Sequence, residues 1–433
     1  MWTNSKAWIA PLGLVGSIFL GALLRLAWVS DMEYKADEAW TFQHTQPEEG
    51  VSSFSWLGMD SSVGPRNPGM SLWVFQVLSK LTFAHDPTSL ARAVQILAIA
   101  AIGVLVWFSY RCVPSGEREP WLWAAAILSV NPLAVLFERK IWPPSVLPIF
   151  VSFMLIAWWK RERFWGAFAW GLIGAWIGQI HMGAFFFAGG FAAWALLFDR
   201  KQVAWRGWRA GSFLGALSLV PWLAYMANEV GSRPGTPFGW QHAAECKFLI
   251  RWVTEPLGLG LDYSLDNDFG DFLRSPIVDG RPTYLVGILH GLVIAIGACI
   301  LVRAGLRLWQ TRRAGAQTAV PNSKRSPTAF TLNAAFLGFG ILLTLSCLPI
   351  HRHYMVIAYP FEILWLARLA LCSGIPSVKA LRLGRSLLAT LCVAQFLITA
   401  SFLVYVHIHQ AIDGDYGVPY GAQKNSPVAA LQN

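Results

Sequence analysis

The stretch Pro68–Ala84, PGMSLWVFQVLSKLTFA, has the apolar content of a membrane span, yet it is short, begins at a proline and carries Lys80. Whether it crosses a bilayer or lies along one sets the orientation of every later segment. Apolar residues elsewhere gather in runs long enough, as helix, to cross roughly 30 Å of hydrocarbon. Eleven candidate spans result, at 7–29, 89–110, 120–137, 144–159, 165–180, 183–198, 210–228, 283–302, 328–348, 354–371 and 387–409. If 68–84 lies in the interface, 19 of the 34 Lys and Arg residues fall in short inner segments, and 19 of the 24 acidic residues fall outside. If it crosses, KRER at 160–163 and the basic 303–327 loop move outside, against the positive-inside bias. The sequence therefore predicts an interfacial helix at 68–84.

Composition points the same way. Of 433 residues, 55% are hydrophobic and only 13% charged, against roughly 25% charged in a soluble domain; mean hydropathy is +0.46. These values exclude a water-soluble globular protein. The net charge of +10 is an orientation signal rather than a nucleic-acid surface. The first run, Ala7–Val29, is longer than a signal-peptide core and lacks a small-residue cleavage site after it, so it reads as a retained span. Six cysteines without a CxxC pair or zinc spacing indicate no metal framework. The amino terminus is expected in the cytoplasm and the tail 410–433 outside. Two long outer loops, 30–88 and 229–282, hold 16 acidic residues and the turns SRPGTP and DGRP. A polar linker covers about 314–327.

Four groups could carry chemistry. Asp37 and Glu38, in YKADEAWTFQH just beyond the first span, suit a general base or a divalent cation, and equally the start of a short helix 38–46. Arg139 and Lys140 (FERKIWPPS), His181 (GQIHMG), and His351, Arg352 and His353 (PIHRHY) are basic groups on the outer face, where an anionic headgroup or phosphate is the natural partner. Snorkelling with pairing to Glu138 is the structural alternative for Arg139 and Lys140, and a satisfied buried imidazole for His181. Arg66 and Asn67 open the interfacial helix and also fit a plain helix start at Pro68. Tyr416 and Tyr420, in IDGDYGVPYGAQK, can stack on a sugar or anchor at the interface. Arg25, near the outer end of the first span, reads as a snorkelling side chain.

The order of these pieces, ADEAW (36–40), RNPGMSLWVFQVLSKL (66–81), SLARAVQILAIAAIGVLVWF (89–108), NPLAVLFERKIW (131–142), HRHYMVIAYP (351–360) and DGDYGVPYGAQ (413–423), resembles the GT-C superfamily of integral membrane glycosyltransferases. That group includes protein O-mannosyltransferases and the lipid A aminoarabinose transferase. Asn67 stands where members usually have His or Lys, and Trp142-Pro143-Pro144 where many have a Tyr-containing turn.

The resemblance implies an all-α polytopic membrane protein with about eleven transmembrane helices and interfacial helices in the first outer loop. Residues 1–228 would form the GT-C transmembrane module with its catalytic loop 30–88, followed by the outer loop 229–282, the helices of 283–409 and the tail 410–433. It implies transfer of a sugar from a polyprenyl-phosphate donor to a glycolipid, polysaccharide or protein at the outer face of a bacterial inner membrane, with membrane lipids as further partners. Asp37 resembles the catalytic aspartate and Glu38 its acidic neighbour; together they would hold a magnesium or manganese ion if one is used. Arg139, Lys140, Arg352 and His353 would meet the donor phosphate, with Arg66, Asn67, His181, Tyr354, Tyr416 and Tyr420 around donor or acceptor. The competing classes are a lipid-linked glycan transporter or flippase and an O-antigen polymerase or ligase. The first favours ionisable residues at mid-membrane in related halves. The second is expected to lack the early Asp-Glu loop.

Overall fold

The structure is a computed structural model describing residues 9–46, 55–61, 65–229, 239–313, 326–371 and 378–424. SRPGTP, most of the 314–327 linker and the last nine residues of the tail lie outside these. The first outer segment follows α1 (Ile9–Leu26) and holds α2 (Ala36–Gln43), β1 (Leu57–Asp60), β2 (Arg66–Pro68) and α3 (Met70–Thr82). The first half of the bundle is α4 (Pro87–Arg111), α5 (Arg118–Val130), α6 (Pro132–Phe137), α7 (Pro143–Trp159), α8 (Phe164–Ile180), α9 (Gly183–Phe198), α10 (Trp205–Ala216) and α11 (Val220–Glu229). The second long loop carries α12 (Trp240–Ala244), α13 (Lys247–Thr254), α14 (Leu261–Leu265), α15 (Phe269–Arg274), β3 (Ile277–Val278) and β4 (Arg281–Pro282). The chain then runs through α16 (Leu285–Arg313), α17 (Pro327–Asn333), α18 (Gly340–Leu345), α19 (Phe361–Leu371), α20 (Val378–His409) and α21 (Tyr420–Lys424).

Helix lies at every predicted span, but crossing length is a stricter test. Among the described residues, five helical stretches are long and apolar enough to cross a membrane: Pro87–Arg111, Trp205–Asn228, Leu285–Gln310, Pro327–Leu345 and Val378–His409. A sixth forms if Arg352–Ala358 and Phe361–Leu371, bent by 70°, count as one. Leu12–Leu26, α7, α8 and α9 are apolar but shorter. The structure thus supports five or six crossings by length, fewer than the eleven expected. The stretch 120–137 is two helices, because the Asn131 side chain accepts from the N–H groups of Leu133 and Ala134 at 3.0 and 3.1 Å and starts α6 with Pro132 in its first turn. Two short antiparallel ribbons, β1–β2 and β3–β4, also depart from an all-helical expectation.

Sequence explains the helix ends and the packing. Asp86 caps α4 by accepting from the Thr88 and Ser89 N–H groups at 2.8 and 3.1 Å, with Pro87 next. α8 and α10 pack at backbone contact: a Cβ on Gly211 would stand 1.9 Å from the Phe168 carbonyl oxygen. Small residues at such a seam let helices without a hydrophobic driving force gain van der Waals contact. The core is aromatic, with Trp121, Trp158, Trp170, Phe108, Phe187 and Phe191 fully buried.

Polar contacts divide the ends of the bundle into two faces. Segments predicted to be inner meet one another: Arg161 with Asp199 at 2.5 Å, Arg385 with Glu119 at 2.7 Å, and the Thr328 N–H with Glu117 at 3.1 Å. Predicted outer segments meet at the other end. The tail clasps both long loops there: the Tyr420 N–H donates to the Met32 carbonyl at 3.1 Å, and the Tyr416 N–H to the Ser264 carbonyl at 2.9 Å.

Candidate active site

The site is built from the loop after α1, the turn after α6, the second long loop and the turn before α19. α2 begins with Lys35 at its N-cap. The Glu38 carboxylate reaches back to accept from the Lys35 N–H at 3.0 Å, which turns Glu38 inward. It is 1% exposed. Asp37, one residue earlier, points out: it is exposed and its carboxylate has no partner among the described residues. The helix starts two residues earlier than expected, and the two adjacent carboxylates play different parts.

The three charged residues after α6 each take a different partner. Glu138 pairs with Arg25 at 2.6 Å, both fully buried, and Arg25 also donates to the carbonyls of Gly21 and Ser129 at 3.0 and 2.5 Å. Arg25 therefore joins α1 to α5 and does not snorkel. Arg139 donates to the carbonyls of Leu24, Arg25, Ala27 and Trp28 at 2.6, 3.0, 2.7 and 2.9 Å. Expected at the donor phosphate, its guanidinium instead caps the end of α1, where helix carbonyls lack intrahelical partners. Lys140 lies 2.9 Å from Glu33 and 3.7 Å from Glu38. Burial pushes the Glu38 carboxyl above the ordinary glutamate range; the Lys140 ammonium pulls it back and the Glu33 charge adds to the rise.

Lys140 carries the network toward the other expected cations. Its ammonium sits 4.2 Å over the Trp142 ring, and Trp142 meets His353 edge to face at 4.6 Å. His353 in turn contacts His181 at 5.2 Å, Tyr354 at 4.8 Å and His351 at 5.5 Å. Burial, then repulsion from His351, pushes the His181 imidazole down to about 4, so at neutral pH it is uncharged. Lys140 and Arg352 share one wall, lying 5.7 and 5.8 Å from the Phe137 ring. Glu38, Lys140, His181, Arg352, His353 and Tyr354 thus form one run of contacts.

Arg352 is the outlier of the set. It is 8% exposed, yet none of its three guanidinium nitrogens has a hydrogen-bond partner among the described residues. Its nearest anion is Glu255, 3.9 Å away. Glu255 comes from the second long loop and also faces Arg251 at 3.6 Å. Burial pushes its carboxyl up to about 7, against the lowering by Arg352 and Arg251. Glu33, Arg251 and Glu255 escaped the sequence reading. Glu33 had a signal, an acidic residue two positions from Lys35 in the segment ahead of Asp37; Glu255 and Arg251 had none beyond lying in an acidic outer loop.

The remaining expected residues sit elsewhere or have other duties. Arg66 bonds the Gly58 carbonyl at 3.2 Å and faces Asp60 at 3.7 Å; Asn67 donates to the Met59 carbonyl at 3.2 Å. Both hold the β1–β2 ribbon together. Tyr416 is buried, with its hydroxyl donating to the Asp31 carbonyl and its ring 5.6 Å from Phe402, so it offers no face to a sugar. Tyr420 packs edge-on against Tyr34 at 4.9 Å. Asp37 and Glu38 do not fit a two-carboxylate cation site, since Glu38 is turned inward to Lys140. Among the described residues no group of three or more His, Cys, Asp or Glu is arranged to hold a metal ion.

No protein-family description matches the chain, and no curated protein does. Among solved structures the chain is similar to the apo oligosaccharyltransferase of Archaeoglobus fulgidus, with a TM-score of 0.48 and 14% identity over 92% of this chain. The match spans 56% of that longer protein.

Proposed function

We propose that this chain is a membrane glycosyltransferase of the GT-C kind that moves a sugar from a polyprenyl-phosphate donor to a glycolipid, polysaccharide or protein at the outer face of a bacterial inner membrane. The observation that carries the reading is Arg352, a buried guanidinium with no hydrogen bond among the described residues, which shares the Phe137 ring with Lys140, the partner of Glu38 beside the exposed Asp37. A buried cation left without donors satisfied is costly, and a phosphate oxygen is a ligand that repays it.

The chemistry assigns one role to Asp37, beside Glu38, and another to the cations of the contact run. Asp37 accepts the proton of an acceptor hydroxyl as its oxygen attacks the anomeric carbon. On the opposite side the bond from that carbon to the carrier phosphate breaks, and its electron pair leaves on the phosphate. The configuration inverts. Arg352 and Lys140 meet the growing negative charge in a site walled by Phe137, Trp142 and His353, where fixed charges act more strongly than in water. The neutral His181 and Tyr354 line the sugar side.

The test compares envelope glycolipids and glycans, by mass, from a deletion strain, its complement and a strain carrying Asp37→Asn. The deletion strain is expected to lose one sugar increment. The variant, whose exposed side chain holds nothing in place, should insert normally and match the deletion strain, a loss of about 10²- to 10⁴-fold in rate. Turnover retained by Asp37→Asn refutes the base assignment. An unchanged profile in the deletion strain refutes the transferase.

A further inference from the structure

We infer that Arg251 and Arg352 form a two-guanidinium seat for the phosphate of a lipid-linked ligand, and that Glu255 is an internal anion that occupies the seat until the ligand displaces it. The lipid-linked identity of the ligand rests on the transferase reading; the seat itself rests on geometry. Both arginines converge on Glu255 Oε1, at 3.6 Å from Arg251 Nη1 and 3.9 Å from Arg352 Nε. Charge-assisted hydrogen bonds run at about 2.7 to 2.9 Å, so neither contact is a closed one. The unmet capacity is large. Arg352 Nε, Nη1 and Nη2, Arg251 Nε and Glu255 Oε2 are all buried without a hydrogen-bond partner among the described residues. Two guanidinium groups thus share one loosely held carboxylate, with Asp262 the further acidic group that acts on Arg251 and Glu255.

The second loop keeps the seat open. Gly258 and Gly260 have φ of +71° and +127°, and a Cβ on Gly260 would stand 3.1 Å from Arg352 Nη2. The backbone can press against the guanidinium only because no side chain intervenes. Tyr263, exposed, lies with its ring 5.4 Å from the Arg352 guanidinium carbon and marks the open side. Glu255 itself is anchored through its main chain, whose carbonyl accepts from the Asn131 amide at 3.0 Å. Its carboxylate can therefore change state while its backbone stays fixed.

Displacement is linked to a proton. The groups facing Glu255 are Arg251 on α13, Arg352 in the turn before α19, Asp262 on α14, and Tyr359 and Glu362 at the start of α19. α16 presents Gly297 to the adjacent Leu257 and His290 toward Asp262; α20 presents Gln395, which donates to the Pro256 carbonyl at 2.8 Å; α6 presents Pro132 to Gly258. With an anionic phosphate between the arginines, a neighbouring carboxylate must be neutral. Glu255 has a free-state value of about 7, so below that pH the proton is already bound. Above it, each pH unit costs about tenfold in affinity for one linked proton.

The experiment titrates the full chain in nanodiscs with citronellyl sulfate, whose charge is fixed across the range, by calorimetry from pH 6 to pH 9 in buffers of different ionisation enthalpy. Wild type should bind with uptake of about one proton at pH 8 and weaken about tenfold per unit above pH 7. Glu255→Gln should bind at least as tightly at every pH, with neither slope nor proton uptake; a retained slope overturns the inference. Arg251→Gln, at a half-buried position, is a second probe. It should weaken binding at pH 6 by about tenfold or more, the worth of a charge-assisted hydrogen bond, and unchanged affinity overturns the seat. Sodium sulfate binding as tightly as citronellyl sulfate would overturn the lipid-linked ligand. Proton-linked binding alongside an unchanged envelope profile refutes the transferase alone; a changed profile without the linkage refutes the seat alone.

Discussion

Arg139→Met separates two readings of one basic residue. If Arg139 holds the donor, the variant should bind the phosphate poorly and fold well; if it caps α1, the reverse. The structure gives Nη1 three carbonyl contacts and Nη2 one, while Nε is unsatisfied. Nη1 has only two protons, so about three full hydrogen bonds are made, each worth about 1.5 to 3 kcal/mol for a charged donor, or about 4.5 to 9 kcal/mol together. These values are already net of desolvation, so a loss of about 4 kcal/mol or more follows. The assay is equilibrium unfolding in mixed micelles titrated with SDS, with citronellyl sulfate binding measured on the folded protein. Stability within about 0.5 kcal/mol of wild type, the usual range for a surface change, together with weakened binding, would refute the cap.

Two other substitutions follow from the same network. Lys140→Met strips the buried Glu33 and Glu38 of their shared cation, and breaking a buried pair from one side costs about 3 to 5 kcal/mol. Glu38 has a raised folded value, so its contribution is complete below the unfolded value of about 4.3 and is lost as pH rises through the folded one. Without the ammonium that value rises further, so unfolding midpoints should show the variant closer to wild type at pH 5 than at pH 8; equal deficits at both would refute the coupling. Tyr416→Phe removes one hydroxyl bond to the Asp31 carbonyl and should cost about 1 kcal/mol with the donor KM unchanged. A raised KM would return Tyr416 to the sugar site.

What the sequence revealed and what it hid divide along a physical line. Net charge along the chain, set against apolar runs, sorted segments to two faces, and the contacts respect that sorting: Arg161 finds Asp199, Arg385 finds Glu119, and the tail finds the first loop. Side preference is a sum over many residues and survives single errors. Pairing is decided by a few ångströms, and there Arg25, Arg139 and Tyr416 take partners that the string does not show. FERK offers three charges in a row, and nothing in the string says that a helix end from residue 24 onward will take the middle one. The same limit hid Glu255, which has no motif and gains meaning only when α13 and the turn before α19 bring two arginines to it. Asp37 and Glu38 show the point within one dipeptide. Adjacent helix positions face about 100° apart, so once Glu38 closes the cap and meets Lys140, Asp37 is left facing outward with a free carboxylate. The base role proposed for Asp37 needs that freedom, and the ion pair of Glu38 needs its absence; the difference in exposure arises because the helix begins at Ala36.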